Sequence, residues 1–305
     1  VEIEYAFWTE SVIIEAVDRD GEPVESVRFT ESKPFEMWIG QLRYAPKASD
    51  RAVAAAQLST FTDNPDLQLV VQEALLREPS ADVRAQLLAQ LSQVTRGAIG
   101  TEEFFITAYY KALESFRADP QALAELEQSI LAMGAYPGNP RILAILESAA
   151  RDGGFPLELR INALTALHAV QDRELFIERL ESQRITDAFA TGSVERVELI
   201  ATLFELGEEE TAHFLTGDLI GAPLQSDVRN VLRLLQVLSA HDSDIARWQE
   251  RIRRLMGFPD PRIRYAAATL AGEHLSADIR AELLADLLPE EYDARVHLAL
   301  EQLMP

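Results

Sequence analysis

Five histidines, His168, His213, His241, His274 and His297, are the side chains here whose ordinary titration crosses the neutral range. No two stand four residues apart, so no helix face offers two imidazoles to one metal ion. Cysteine is absent, which removes thiolate ligands, disulfides and cysteine nucleophiles. His241-Asp242-Ser243-Asp244 groups an imidazole with carboxylates, but it falls between two helical patterns, where Asp242 or Ser243 reads as a helix cap. Glu273-His274 with Asp278 reads the same way. Asp18-Arg19-Asp20-Gly21-Glu22 has the outline of a calcium loop. An EF-hand needs glycine sixth and glutamate twelfth, whereas here glycine is fourth and the twelfth residue is Phe29, so a hairpin turn is expected. No glycine-rich phosphate loop or nucleophile elbow is present. Carboxylate pairs are too common in this composition to single out a site. Catalytic, cofactor-binding and metal residues are therefore expected to be none.

The strongest binding signal is Arg247-Trp248-Gln249-Glu250-Arg251-Ile252-Arg253-Arg254, the one basic cluster. Arg247, Arg251 and Arg254 share one side of a helix at this spacing, and with Trp248 they form the expected contact patch for an acidic peptide or carboxylate. The competing reading is a solvated face balanced by acidic neighbours. Phe104, Phe105, Tyr109, Tyr110 and Phe116 form an aromatic stripe. Positions 105, 109 and 116 suit one helix face, so core packing is expected.

The whole chain carries 28 Lys and Arg against 50 Asp and Glu in 305 residues, a formal net charge of -22. That balance argues against a nucleic-acid partner, which requires clustered cations. No uncharged apolar run reaches the roughly 18 residues of a membrane span. The hydrophobic fraction of 48% is too high for a disordered chain. Only Lys33, Lys47 and Lys111 are lysine; the other basic residues are arginine. Such a composition fits a protein working in high salt, and equally an arginine-rich coding bias with an ordinary acidic surface. The start at Val1, without a basic or apolar leader, is read as either a piece of a longer protein or a mature form. The compartment is not legible.

Two regimes position these residues. Residues 1–31 alternate: Val1, Ile3, Tyr5 and Phe7, then Val12, Ile13 and Ile14, then Val24, Val27 and Phe29, with Asp20-Gly21 as a turn. Short strands of this kind do not stand alone, so they are the tail of a β-sandwich or a small β-cap. Residues 32–305 are helical, with about sixteen candidate helices. Asn64-Pro65, Asp119-Pro120, Asn139-Pro140 and Asp260-Pro261 each read as a cap followed by the first helical residue.

A frame recurs within the helical part. Arg84 is followed by Leu87, Leu88 and Leu91, one apolar face. Arg51, Arg160, Arg196, Arg264 and Arg280 repeat it, and Arg229 and Arg295 fit in part. The spacing is 33 to 36 residues for most steps. Asp50, Asp82, Asp227 and Asp278 precede the arginines by one or two residues. The expected roles are structural: Asp caps the helix and Arg bridges to the next repeat. The frame resembles the second helix of a HEAT-type, armadillo-like repeat, and the expected fold is mainly α, an α-solenoid of helical pairs.

Residues 17–58 carry a narrower resemblance. Asp18, Gly21, the strand over 24–29, Lys33-Pro34, Trp38, Gln41-Leu42, Ala45-Pro46 and Asp50-Arg51 are similar to the passage from β-sandwich to C-terminal helical domain in aminopeptidase N-like zinc metallopeptidases. The resemblance implies a non-catalytic C-terminal domain that shapes or covers a peptide-access cavity and packs on upstream domains. It places the zinc, held by an H-E-x-x-H helix, in an upstream domain and not in this chain. The alternative is a free-standing HEAT scaffold that binds a protein or peptide on its concave face.

Overall fold

The computed structural model describes residues 12–17, 23–29, 35–95, 100–182, 185–221 and 227–303, and sixteen α-helices account for most of them. The mainly α class is as the periodicity requires. Strands β1 (Val12–Val17) and β2 (Pro23–Phe29) pair antiparallel, with Val12 opposite Phe29 and Ile14 opposite Val27. The first expected strand, at residues 1–7, the Asp18–Glu22 turn and Lys33-Pro34 lie outside the described residues.

The chain divides into two compact units, Val1–Tyr136 and Pro137–Pro305. The first holds α1 (Phe35–Tyr44), α2 (Ala48–Leu58), α3 (Leu67–Arg77), α4 (Ala81–Thr95), α5 (Glu102–Ala118) and α6 (Leu123–Met133). In it α2 packs on α4, and α4 on α6. The second holds α7 (Pro140–Arg151), α8 (Leu157–Ala169), α9 (Arg173–Ser182), α10 (Val194–Glu205), α11 (Glu209–Gly221) and α12 (Val228–His241). It continues with α13 (Ile245–Met256), α14 (Pro261–His274), α15 (Ala277–Leu287) and α16 (Ala294–Gln302). Here α8, α10, α12, α14 and α16 pack each on the next.

The apolar frame is the core. Ala54, Ala55 and Leu58, then Leu87, Leu88 and Leu91, then Ala163, Leu164 and Leu167 are all fully buried. Leu199, Ile200 and Leu203 and, in α14, Ala267, Ala268 and Ala271 are buried likewise. Small residues in α14 let its neighbour approach closely. A Cβ added at Gly272 would come within 2.8 Å of Leu303 Cδ2.

The arginine ahead of each frame does a repeated job. Arg51, Arg84 and Arg264 sit at the fourth helical residue and reach back to two carbonyls of the entering loop, the second always a proline's. Arg51 donates to the Ala45 and Pro46 carbonyls at 2.9 and 3.2 Å. Arg84 donates to those of Glu78 and Pro79 at 2.9 and 2.8 Å. Arg264 donates to those of Phe258 and Pro259, both at 2.8 Å. Each guanidinium then forks onto one carboxylate of a later hairpin: Arg51 on Glu78, Arg84 on Glu125, Arg264 on Glu291, all at 2.7–2.9 Å. The planar fork satisfies loop carbonyls and a bidentate carboxylate at once, which lysine cannot do. Arg160 is buried over the Phe189 ring at 4.2 Å and donates to the carbonyls of Ala150 and Ala188. Arg196 is buried too, and Arg280 donates to the Gly272 carbonyl at 3.2 Å.

Three expectations need correction. Asp50, Asp82 and Asp278 lie inside the first turn of α2, α4 and α15 and do not cap them. They meet the positive helix end by charge alone. Asn64 accepts from the Asp66 N–H and α3 begins only at Leu67, while Asp119-Pro120 opens a 3-10 turn, Pro120–Ala122. Asn139, Asp227 and Asp260 do cap, accepting backbone N–H groups of α7, α12 and α14. Arg229 is exposed and does not fill the buried slot, which Val231 takes in α12.

With so many arginines held by carboxylates at short range, the surplus of -22 is left unbalanced. Screening shrinks the range of its self-repulsion to about 3 Å in 1 M salt. Melting temperature should therefore rise from low salt to molar sodium chloride. A flat or falling curve would remove the high-salt reading.

Candidate functional site

Three helices of the second unit start in the same way. Asp227, Asp260 and Asp293 cap α12, α14 and α16, each accepting the backbone N–H of an arginine two residues on: Arg229, Arg262 and Arg295. The starts are 33 residues apart, so equal positions on neighbouring helices form rows. Arg229, Arg262 and Arg295 make one exposed row. One turn further, Leu232, Tyr265 and Leu298 make a second. Tyr265 is 50% and Leu298 55% exposed, while Leu232 is half-buried. Between them lies a groove of about 570 Å³, lined by Leu232, Tyr265, Ala266, Val296 and Leu298, with Arg262 and Arg295 at its rim.

The rim charges are fixed by the caps. The Arg262 side chain forks onto Asp260 at 3.0 and 2.8 Å, and the Arg262 N–H adds a bond at 2.8 Å. These hold the Asp260 carboxyl down to about 2. Arg295 and its N–H lower Asp293 in the same manner. Both arginines are raised in turn, so the rim stays charged at every ordinary pH. Each spends two of five guanidinium N–H donors on its own aspartate.

No family model, curated protein or solved structure matches this chain. Nothing in these comparisons links it to aminopeptidase N-like proteins.

Of the four residues expected to form the contact patch, Trp248 and Arg251 are turned inward, while Arg247 and Arg254 stay about half exposed. Trp248 is fully buried in α13, donates from Nε1 to the Asp242 carbonyl at 2.7 Å and stacks on His274 at 4.3 Å. Arg251 is also turned inward, onto the buried Asp242 carboxylate, with its Nη2 on His213 Nδ1 at 3.0 Å. Arg247 lies 3.4 Å from Asp244, and Arg254 bonds Glu250 at 2.9 Å. The reason is amphipathicity: Trp248, Ile252 and Leu255 must be buried, which carries Arg251 to the boundary beside them. Asp244 caps α13, not Asp242 or Ser243.

Histidines gather here without forming a catalytic relay. His213 and His241 both pack on Phe204, at 5.0 and 5.3 Å. Ser239 Oγ and His274 Nε2 are 2.9 Å apart, but Glu273 approaches that same nitrogen, at 4.0 Å, and does not orient the ring through Nδ1. Among the described residues no group of three or more His, Asp or Glu side chains is placed to hold a metal. No helix among them is long and apolar enough to cross a membrane.

Sequence reading misses Arg262, Leu232, Tyr265 and Leu298, and reaches Arg295 only as a partial member of the repeat frame. The signal was present as Asp-x-Arg at 227, 260 and 293, followed three residues later by Leu, Tyr or Leu. It is hidden because the repeat is most visible in the buried arginines, whose frame does not coincide with the exposed one.

Proposed function

We propose that this chain is a non-catalytic helical-repeat scaffold whose α12–α14–α16 face holds a segment of a partner protein. In this reading the helices are HEAT-like pairs stacked as an α-solenoid, and α8 through α16 by twos form the ladder of second helices. The observation that carries it is the row of half-buried Leu232 and exposed Tyr265 and Leu298, at equivalent positions of three helices, in a groove with Arg262 and Arg295 at its rim. A surface built only for solubility would place charge or small polar residues at those positions.

A random-peptide display library selected against the full chain tests this. Enriched peptides should lose about tenfold or more in affinity for Tyr265→Glu and bind Leu69→Ala, an exposed apolar control in the first unit, unchanged. Failure to enrich any peptide, or equal binding by Tyr265→Glu, would overturn it. Both residues are exposed, so neither change should disturb folding.

The resemblance over residues 17–58 supports a more specific form, in which the scaffold is the C-terminal region of an aminopeptidase N-like enzyme and β1–β2 ends its sandwich. An H-E-x-x-H motif in an upstream reading frame is what that form requires.

A further inference from the structure

We propose that the first unit binds a monocarboxylate carrying an aromatic or apolar group, in the cavity where α1 and α3 end. The cavity holds about 310 Å³. One wall is built around a shared carboxylate. Arg43, in the last turn of α1, donates from Nη2 to Glu73 Oε2 at 2.6 Å. Arg77, the last residue of α3, places its Nη2 3.0 Å from Glu73 Oε1. The two guanidiniums therefore meet opposite oxygens of one carboxylate. Both line the cavity, so a second carboxylate of the same span can meet both from inside it. Each guanidinium gives one nitrogen to Glu73, and among the described residues nothing else engages its Nε and Nη1. The Arg43 and Arg77 side chains are 37% and 73% exposed, which gives a ligand access.

Charge selects a single negative group. Arg43, Arg51 and Arg77 line the cavity against Glu73 and Glu78, a surplus of one positive charge. Arg51 is already spent, with Nε and Nη2 on Glu78 and Nη1 on the Ala45 and Pro46 carbonyls. The C-terminal ends of α1 and α3 add negative partial charge here. A carboxylate cancels the surplus, whereas a phosphate dianion exceeds it. The helix ends alone account for a cation in each last turn. They do not require that two helices turn those cations onto one carboxylate in a cavity wall. The rest of the lining is apolar, from Leu42, Ala74 and Pro79, with the Tyr44 ring, 80% exposed, beside them. That ring gives a flat apolar body a surface to stack on. A free organic acid and the carboxyl end of a peptide share this chemistry.

Calorimetry on the full chain at low salt tests this with phenylpropionate, its amide, acetate, inorganic phosphate and the peptide Gly-Gly-Phe with a free carboxyl end. Phenylpropionate or the peptide should bind about tenfold or more tighter than acetate, phosphate and the amide. The tighter of the two names the source, a free acid or a peptide end. Arg77→Gln leaves the Arg43–Glu73 bond and the fold in place, and should weaken that binding about tenfold. Tyr44→Ala, at an exposed position, should weaken it too and leave acetate unchanged. Four results would each overturn the site: no binding by either ligand, equal binding by the amide, acetate or phosphate binding as tightly, or full affinity in Arg77→Gln.

Discussion

Arg84→Ala should cost the first unit about 3–5 kcal/mol, the expected penalty for breaking a buried ion pair from one side. Glu125 is 2% exposed and receives both arms of Arg84 at 2.7 Å. Deleting the guanidinium leaves that carboxylate in the core with no water to replace it, and strands the Glu78 and Pro79 carbonyls as well. The neighbouring strut would be weakened too, because Glu78 holds Arg51 and its carboxyl is kept low. Burial there works to raise it, and the bonds from Arg51 and the Ser80 N–H outweigh that. Arg84→Met with Glu125→Leu should recover most of the loss, since replacing both partners by apolar groups removes the stranded charge. Urea unfolding of the three variants measures this. A single-variant loss under about 1 kcal/mol would show that the pair is no more than a surface contact. Groove binding should be unchanged, because α12, α14 and α16 make no part of this strut.

The contrast between struts and groove shows what one sequence can tell. Leu87, Leu88 and Leu91 after Arg84, and their counterparts, were legible because burial imposes a period and the period repeats. The arginine's neighbours were half legible. Its presence at a helix start is visible, but Glu125 is 41 residues away and Glu78 only 27 from Arg51, distances that no local pattern fixes. Trp248 and Arg251 misled for a related reason. A run of cations looks like a surface, yet a carboxylate on the preceding loop, Asp242, turns one of them inward, and sequence spacing does not weigh that. The groove row escaped because Tyr265 and Leu298 resemble ordinary core residues in type. Only packing shows that they face outward.

Asp242→Ala should also be severe, about 3–5 kcal/mol in the second unit, and its pH dependence tells how the cluster works. The Asp242 carboxylate is buried, accepts the Asp244 N–H at 3.0 Å and holds Arg251, whose side chain is 11% exposed. Burial would raise this carboxyl, but the Asp244 N–H and Arg251 hold it below its ordinary range. His213 is lowered as well. Burial is the main cause, Asp242 opposes it, and Arg247 and Arg251 add to it, with Glu209 opposing weakly. The geometry agrees, because Nδ1 accepts from Arg251 and cannot carry a proton while it does. Both shifts have the same sign. The unfolded imidazole takes a proton near pH 6.5, at its ordinary value, and the folded one only at lower pH, so His213 contributes fully above about 6.5 and progressively less below. Asp242 adds its own loss below about pH 4, its ordinary range, as pH falls toward the folded value. His213→Gln offers Arg251 an amide oxygen and cannot titrate. The difference in unfolding free energy between wild type and this variant should be flat above about pH 7 and shift against the wild type between about pH 6.5 and 5. A constant difference across that window would mean that His213 takes its proton without leaving Arg251. The cluster would then be an ordinary surface network, with Asp242→Ala costing under about 1 kcal/mol.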